Sequence, residues 1–128
     1  MRLLLDTHIF LWFITGDGRL PILMRDAIRE PGNEVFLSVV SLWEIILKHQ
    51  IGKLSLPQSP EIYIPKQRRL HQIRSLVVSE NSIKELAKLP SVHRDPFDRL
   101  LICQTLAGNL TIVTVDNEIL NYSVSYFK

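Results

Sequence analysis

A chain of 128 residues that is 46% hydrophobic and 22% charged has the makings of one folded domain with a single core. That composition excludes disorder, and a lone cysteine, Cys103, excludes a disulfide framework and suits a reducing compartment. The formal net charge of +2 by itself names no partner.

The chain opens on Met1-Arg2-Leu3-Leu4-Leu5-Asp6-Thr7-His8-Ile9-Phe10. Three leucines without polar alternation suit a strand buried on both faces, as in a parallel sheet. The run stops at Asp6. Open α/β sheets bind ligands just beyond the carboxyl ends of their strands, so Asp6 stands where chemistry is usually done. The plain alternative is that Asp6 caps the next helix. That helix is expected over 7–14, stopped by Thr15-Gly16-Asp17-Gly18. It is apolar almost all round, so it needs the sheet on one side and a second surface, from this chain or a partner, on the other. His8 reads as an ordinary helix-start residue. The apolar stretch from Ile9 to Ile14 is too short to cross a bilayer, and no secretory leader is recognisable, so a soluble, cytoplasmic protein is expected.

Pro21 at the first helical position predicts a second helix over about 21–30, ended by Pro31-Gly32-Asn33. A second strand follows over 34–38. Ser38 caps a third helix over 39–50, with Gly52 as its stop signal. Residues 54–60 read as a loop, and 61 to about 73 as a fourth helix with Pro65 disturbing its start. A third strand is expected over 75–79 and a short amphipathic helix over 81–88, closed by Pro90. A loop then runs to Asp95, and a helix over 96–107 has Gly108 just past its end. Cys103, beside Ile102, reads as core. The fourth strand is expected over 111–115, stopping at Asp116, with a turn or short helix over 117–120 and an edge strand over 124–127. Strands alternating with helices predict the α/β class in one domain, 1–128.

Asp116 repeats the layout of Asp6, an apolar strand ending in a carboxylate; its plain reading is a cap for 117–120. Glu44 lies in Val40-Ser41-Leu42-Trp43-Glu44-Ile45-Ile46-Leu47-Lys48, with Val40 and Leu47 on its own helical face. A carboxylate among apolar neighbours needs a partner, because an unpaired buried charge is costly. The partner is either Lys48 at i+4 or a metal ion at the sheet edge, and the metal is the favoured reading. Asp95-Pro96-Phe97-Asp98 fits a helix start without any function: Asp95 as cap, Pro96 at the first position, Asp98 near the positive helix end. The stretch from His93 to Arg99 is nevertheless denser in charge than a helix start requires.

Taken together, Leu4-Leu5-Asp6-Thr7-His8, Ser38-Val39-Val40-Ser41-Leu42-Trp43-Glu44-Ile45, His93-Arg94-Asp95-Pro96-Phe97-Asp98-Arg99-Leu100-Leu101-Ile102 and Ile112-Val113-Thr114-Val115-Asp116 resemble a PIN-domain ribonuclease, in particular the toxin of a VapBC-type toxin–antitoxin pair. The pieces come in the family's order and span nearly the whole chain. The resemblance implies a three-layer sandwich with a mostly parallel central sheet, and a carboxylate cluster that binds Mg²⁺ or Mn²⁺. Carried over by position, the cluster is Asp6, Glu44, Asp98 and Asp116, as both metal ligands and catalytic residues, with Asp95 a doubtful fifth. The family pattern often has proline and histidine before the first aspartate of this motif; here that place is taken by His93-Arg94, which sets a positive charge beside the site.

Carboxylates are hard ligands that suit Mg²⁺ or Mn²⁺. The chain has no HxxxH or HxxH pair to suggest zinc. Close carboxylates repel by on the order of 4 kcal/mol per pair at 4 Å and an effective dielectric near 20, so the empty site should hold raised pKa values or strain. The resemblance implies metal-assisted hydrolysis of RNA to 5′-phosphate and 3′-hydroxyl ends, an antitoxin partner and a homodimer. Ser41 or Thr114 would position a water or a ligand, and Lys48, Lys53, Arg94 and Arg99 are the candidate cations for the RNA backbone. The rival reading is a binding module of the same fold that acts only through a protein partner. A phospho-receiver domain would need an aspartate ending the third strand, where this chain has Val78-Ser79-Glu80.

Overall fold

In the computed structural model, which describes residues 1–91 and 95–128, the leucine run forms β1 (Arg2–Leu5), and all three leucines are fully buried. On one side β1 pairs with β2 (Glu34–Ser38), which in turn pairs with β3 (Arg74–Leu76). On the other side β1 pairs with β4 (Thr111–Val113). Every pairing is parallel and the strand order is β3-β2-β1-β4. The register sets Leu4 between Phe36 and Ile112.

Successive strand side chains point to opposite faces, and the core divides accordingly. Leu3 and Leu5 join Val35, Leu37 and Val113 in one cluster, while Leu4 joins Phe36 and Ile112 in the other. The first face is covered by α1 (Thr7–Thr15), α2 (Ile22–Arg29) and α4 (Pro60–Leu70), through Ile9, Phe10, Ile28 and Ile64. The second is covered by α6 (Pro96–Ala107) and α7 (Asn117–Leu120), through Leu101, Ile102 and Ile119. Between them α3 (Val39–Gln50) gives Ile45 to the first cluster and Val40 to the second. A short α5 (Glu80–Glu85) packs on α6. This is the α/β sandwich expected from the sequence. Burying one leucine is worth roughly 1.5–3 kcal/mol, so the leucines of β1 anchor both layers at once.

Most departures from the expected elements lie at their ends. Pro21 is the residue before α2 rather than its first, and its carbonyl accepts from Arg25 N at 3.1 Å. Pro60 takes the first position of α4, and the helix runs through Pro65 to Leu70 instead of to Ile73, which is a buried core residue. β3 is three residues long rather than five, because the Val77 carbonyl turns to accept from Gln104 and Ser79 caps α5. α5 stops at Glu85, and i→i+3 bonds such as Leu89 N to Leu86 O at 3.3 Å tighten the continuation. After α6, Gly108 keeps a right-handed conformation and Asn109 is the residue with positive φ, 52°. β4 ends at Val113, two residues earlier than expected, and the expected edge strand is a single parallel bridge between Ile112 and Tyr126. The second surface of α1 is met within the chain: Phe13 lies edge-on to His71 at 5.0 Å, and the guanidinium of Arg19 stands over Trp12. Among the described residues no helix is long and apolar enough to cross a membrane.

A buried polar clamp ties the layers at the carboxyl end of β2. Ser38 Oγ donates to Gln104 Oε1 at 2.5 Å while accepting from Val40 N at 3.0 Å. Gln104 Nε2 donates onward to Val77 O at 3.2 Å. Ser38→Ala removes the α3 cap and strands the Gln104 carbonyl in the core, so it should lower unfolding free energy by about 2–3 kcal/mol in urea titrations.

Candidate active site

In the order β3-β2-β1-β4 the connections switch sides between β1 and β4, which is where an open parallel sheet leaves a crevice beyond its carboxyl ends. Asp6 lies at that point. Its backbone N–H continues the ladder to Val113 O at 3.0 Å, and its carbonyl starts α1 by accepting from Phe10 N at 3.1 Å. Its side chain does not cap that helix. Instead Oδ2 accepts from Thr114 Oγ1 at 2.8 Å, and the same hydroxyl accepts from Asp116 N at 3.0 Å. Thr114 thus joins the two acids that end strands. Asp6 is only 5% exposed, and burial pushes its carboxyl above the usual carboxylate range. The Thr114 hydrogen bond, the charge of His8 and the Thr7 N–H oppose that rise, while the charge of Glu44 adds to it.

Glu44 is brought to this edge by α3, whose start is fixed by Ser38 at the end of β2. It is 3% exposed and both oxygens are engaged. Thr7 Oγ1 lies 2.7 Å from Oε1 and 2.8 Å from Ser41 Oγ. A threonine has one hydroxyl proton and a carboxylate can only accept, so that proton serves Glu44. Lys48 Nζ donates to Oε2 at 2.6 Å. The i+4 lysine offered by the sequence as the plain partner is therefore present. It accompanies the coupling to Asp6 rather than replacing it.

Asp6 and Glu44 lie 38 positions apart in the chain, and the charge of Glu44 is the smallest of the influences on the Asp6 carboxyl. The Asp116 backbone is held at this edge through Thr114, and the start of α6, which carries Asp98, packs against α3. Phe97 and Trp43, each one residue before its acid, meet edge to face at 4.7 Å, which seats the start of α6 against α3. Asp98 is 8% exposed. Asp116 receives Glu118 N at 2.9 Å and Asp95 receives Phe97 N at 2.9 Å and Asp98 N at 3.1 Å, so both cap helices as their plain readings expect. Among the described residues no three His, Cys, Asp or Glu side chains stand together closely enough to hold a metal ion. The donor chemistry nevertheless fits a hard divalent cation: two buried carboxylates with hydroxyls and one ammonium as their neighbours. Of the candidate cations, Arg99 donates to Pro90 O at 2.9 Å and Tyr122 Oη at 3.3 Å, Lys48 holds Glu44, and Lys53 lines a cavity with it. Arg94 and His93 fall outside the described residues. Cys103 is buried, and desolvation pushes its thiol up, as suits core.

The PIN domain model matches residues 3–124. The chain belongs to the PIN domain family. Solved structures agree on the fold. The chain resembles VapBC2 from Rickettsia felis bound to a DNA fragment from its promoter, at 15% identity and TM-score 0.74, covering 99% of this chain and 98% of that one. It resembles VapBC-1 from nontypeable Haemophilus influenzae at 19% identity and TM-score 0.65, covering 100% and 98%. A third, VapBC-5 from Mycobacterium tuberculosis, is described as a member of a family of toxin–antitoxin systems; it matches at 18% identity and TM-score 0.61, covering 98% and 95%. No curated protein matches the chain significantly in sequence.

Sequence reasoning passed over Thr7, which orients the glutamate of this PIN domain. The signal was a hydroxyl directly after the strand-ending acid. The raised carboxyl of Asp6 has a thermodynamic sign: the folded protein holds that proton more tightly than the unfolded chain, whose value is near 3.8. Asp6 thus supports folding below that pH and opposes it once pH climbs through the folded-state value. In EDTA, Asp6→Asn should raise the melting temperature at pH 7, with the gain shrinking toward pH 4; calorimetry that finds the variant less stable at pH 7 contradicts this.

Proposed function

We propose that this PIN domain is an Mg²⁺- or Mn²⁺-dependent endoribonuclease, the cytoplasmic toxin of a VapBC-type toxin–antitoxin pair. The observation that carries the reading is the pair Asp6 and Glu44, two buried carboxylates from separate elements, each held by a threonine hydroxyl at the carboxyl-end edge of a parallel sheet. Burying the Asp6 carboxyl raises the cost of its charge, and carboxyls perturbed in this way cluster at functional sites.

In this reading Asp6, Asp98 and Asp116 would hold the ion, and Glu44 would either ligate it or orient the attacking water. Bound there, the ion makes water more acidic and offsets charge on the attacked phosphate. The protein's own contribution is positional. Thr114 fixes the Asp6 carboxylate and the loop to Asp116 with one hydroxyl. Thr7, backed by Ser41, fixes Glu44. Lys48 and Lys53, lining a cavity that begins at Thr7, would contact backbone phosphates at the rim, so binding should weaken as salt rises. The partner assignments follow the likeness to toxin–antitoxin complexes. A homodimer belongs to the same reading: Trp43, Leu47 and Ile51 leave an apolar stripe of α3 and its end exposed, suited to a second copy.

The experiment is cleavage of structured RNA by the purified chain with Mg²⁺ or Mn²⁺ and with EDTA. Asp6→Asn and Glu44→Gln should each lower metal-dependent cleavage by at least about a hundredfold while circular dichroism stays unchanged. Retained cleavage in both variants refutes the assignment, and absence of cleavage by the wild type favours the binding module.

A further inference from the structure

Both oxygens of Glu44 are taken within the chain, Oε1 by Thr7 and Oε2 by Lys48. A carboxylate that is to face a metal ion in this arrangement has to release one of them. Thr7 is the wrong candidate. It is 2% exposed, is also held by Ser41, and sits on the first turn of α1 directly after β1. Lys48 is the mobile partner. Its side chain is 37% exposed, against 4% for that of Glu44, and its ammonium ends a flexible four-carbon stem.

The displaced ammonium has somewhere to go. Lys48 lines a cavity of about 280 Å³ together with Thr7, His8, Lys53 and the apolar Leu11 and Leu54. Leu11, Ile45 and Leu54 give this cavity an apolar wall of the kind against which a lysine stem lies, and Lys48 is itself partly exposed there.

We propose that Lys48 is a displaceable counter-ion of this PIN-domain site: its ammonium neutralises Glu44 while no divalent ion is bound, and moves into the adjoining cavity when one binds. The proposal rests on the reading above, in which Glu44 belongs to the metal-binding set. It makes Lys48 a positioning residue with two opposed effects. The lysine spares the protein an unpaired buried charge in the empty state, and it competes with the ion for the same oxygen.

The test compares Mn²⁺ affinity by isothermal titration, and melting temperature in EDTA, for the full chain and three variants. Lys48→Met should bind Mn²⁺ about five-fold more tightly than wild type and melt lower in EDTA. Lys48→Arg, which keeps the ion pair, should follow the wild type in both. Lys53→Met removes the same charge from the same cavity but not the ammonium on Glu44, and should tighten Mn²⁺ by less than about two-fold. Should Lys48→Met not fold in EDTA, Lys48→Gln gives the same comparison. Equal shifts from the Lys48 and Lys53 variants, or no gain at Lys48, overturn the counter-ion role and leave the metal reading standing. Failure of both wild type and Lys48→Met to bind Mn²⁺ overturns the two together.

Discussion

Beyond its exposed first residue, Arg2, β1 is covered by helices on both faces, so a charge is costly there until the strand leaves the sheet. Leu3, Leu4 and Leu5 fill those positions, and the next polar side chain comes at Asp6, where the chain turns into α1. The same constraint ends β2 at Ser38 and β4 before Thr114. Because the strands are parallel, all of these ends lie at one edge. A site of polar groups at that edge follows from burying the sheet twice over.

The groups at that edge are then kept by a few short hydrogen bonds. Each hydroxyl there links two acids or an acid to a helix: Thr114 joins Asp6 to the Asp116 backbone, and Thr7 joins the start of α1 to Glu44 on α3. Neutral donors of this kind orient a carboxylate without cancelling its charge. That distinction separates Thr7 from Lys48, which orients and neutralises at once. The result is a pair of carboxylates held in place yet short of positive charge.

Packing outside the site serves the same geometry. The edge-to-face contact of Trp43 with Phe97 seats α6 on α3 beside Glu44 and Asp98, and the Ser38–Gln104–Val77 chain fastens α6 to the ends of β2 and β3. Aromatic and amide contacts of this sort act over one helix turn, so an error in either would move Asp98 relative to Glu44. PIN-fold relatives at 15–19% identity preserve the architecture with most side chains exchanged, as expected when burial pattern rather than particular contacts specifies the layers.

Local pattern determined much of this. The leucine run, Ser38 before an apolar helix, and Asp95-Pro96 were enough to locate β1, α3 and α6, because burial on two faces, capping and a proline start are all encoded by neighbours in the chain. The strand-ending position of Asp6 and the oddity of Glu44 among apolar residues were legible for the same reason. Where strands end was not: β3 and β4 stop early because Val77 turns toward Gln104 and Thr114 toward Asp6, residues 27 and 108 positions away. The chain alone left Glu44 between Lys48 and a metal ion at the sheet edge, and gave no sign of its influence on Asp6. A helix turn dictates the first pairing, but only the parallel packing of β1 beside β2 brings the second carboxylate near enough to be felt, since charge acts through space and the sequence records only order.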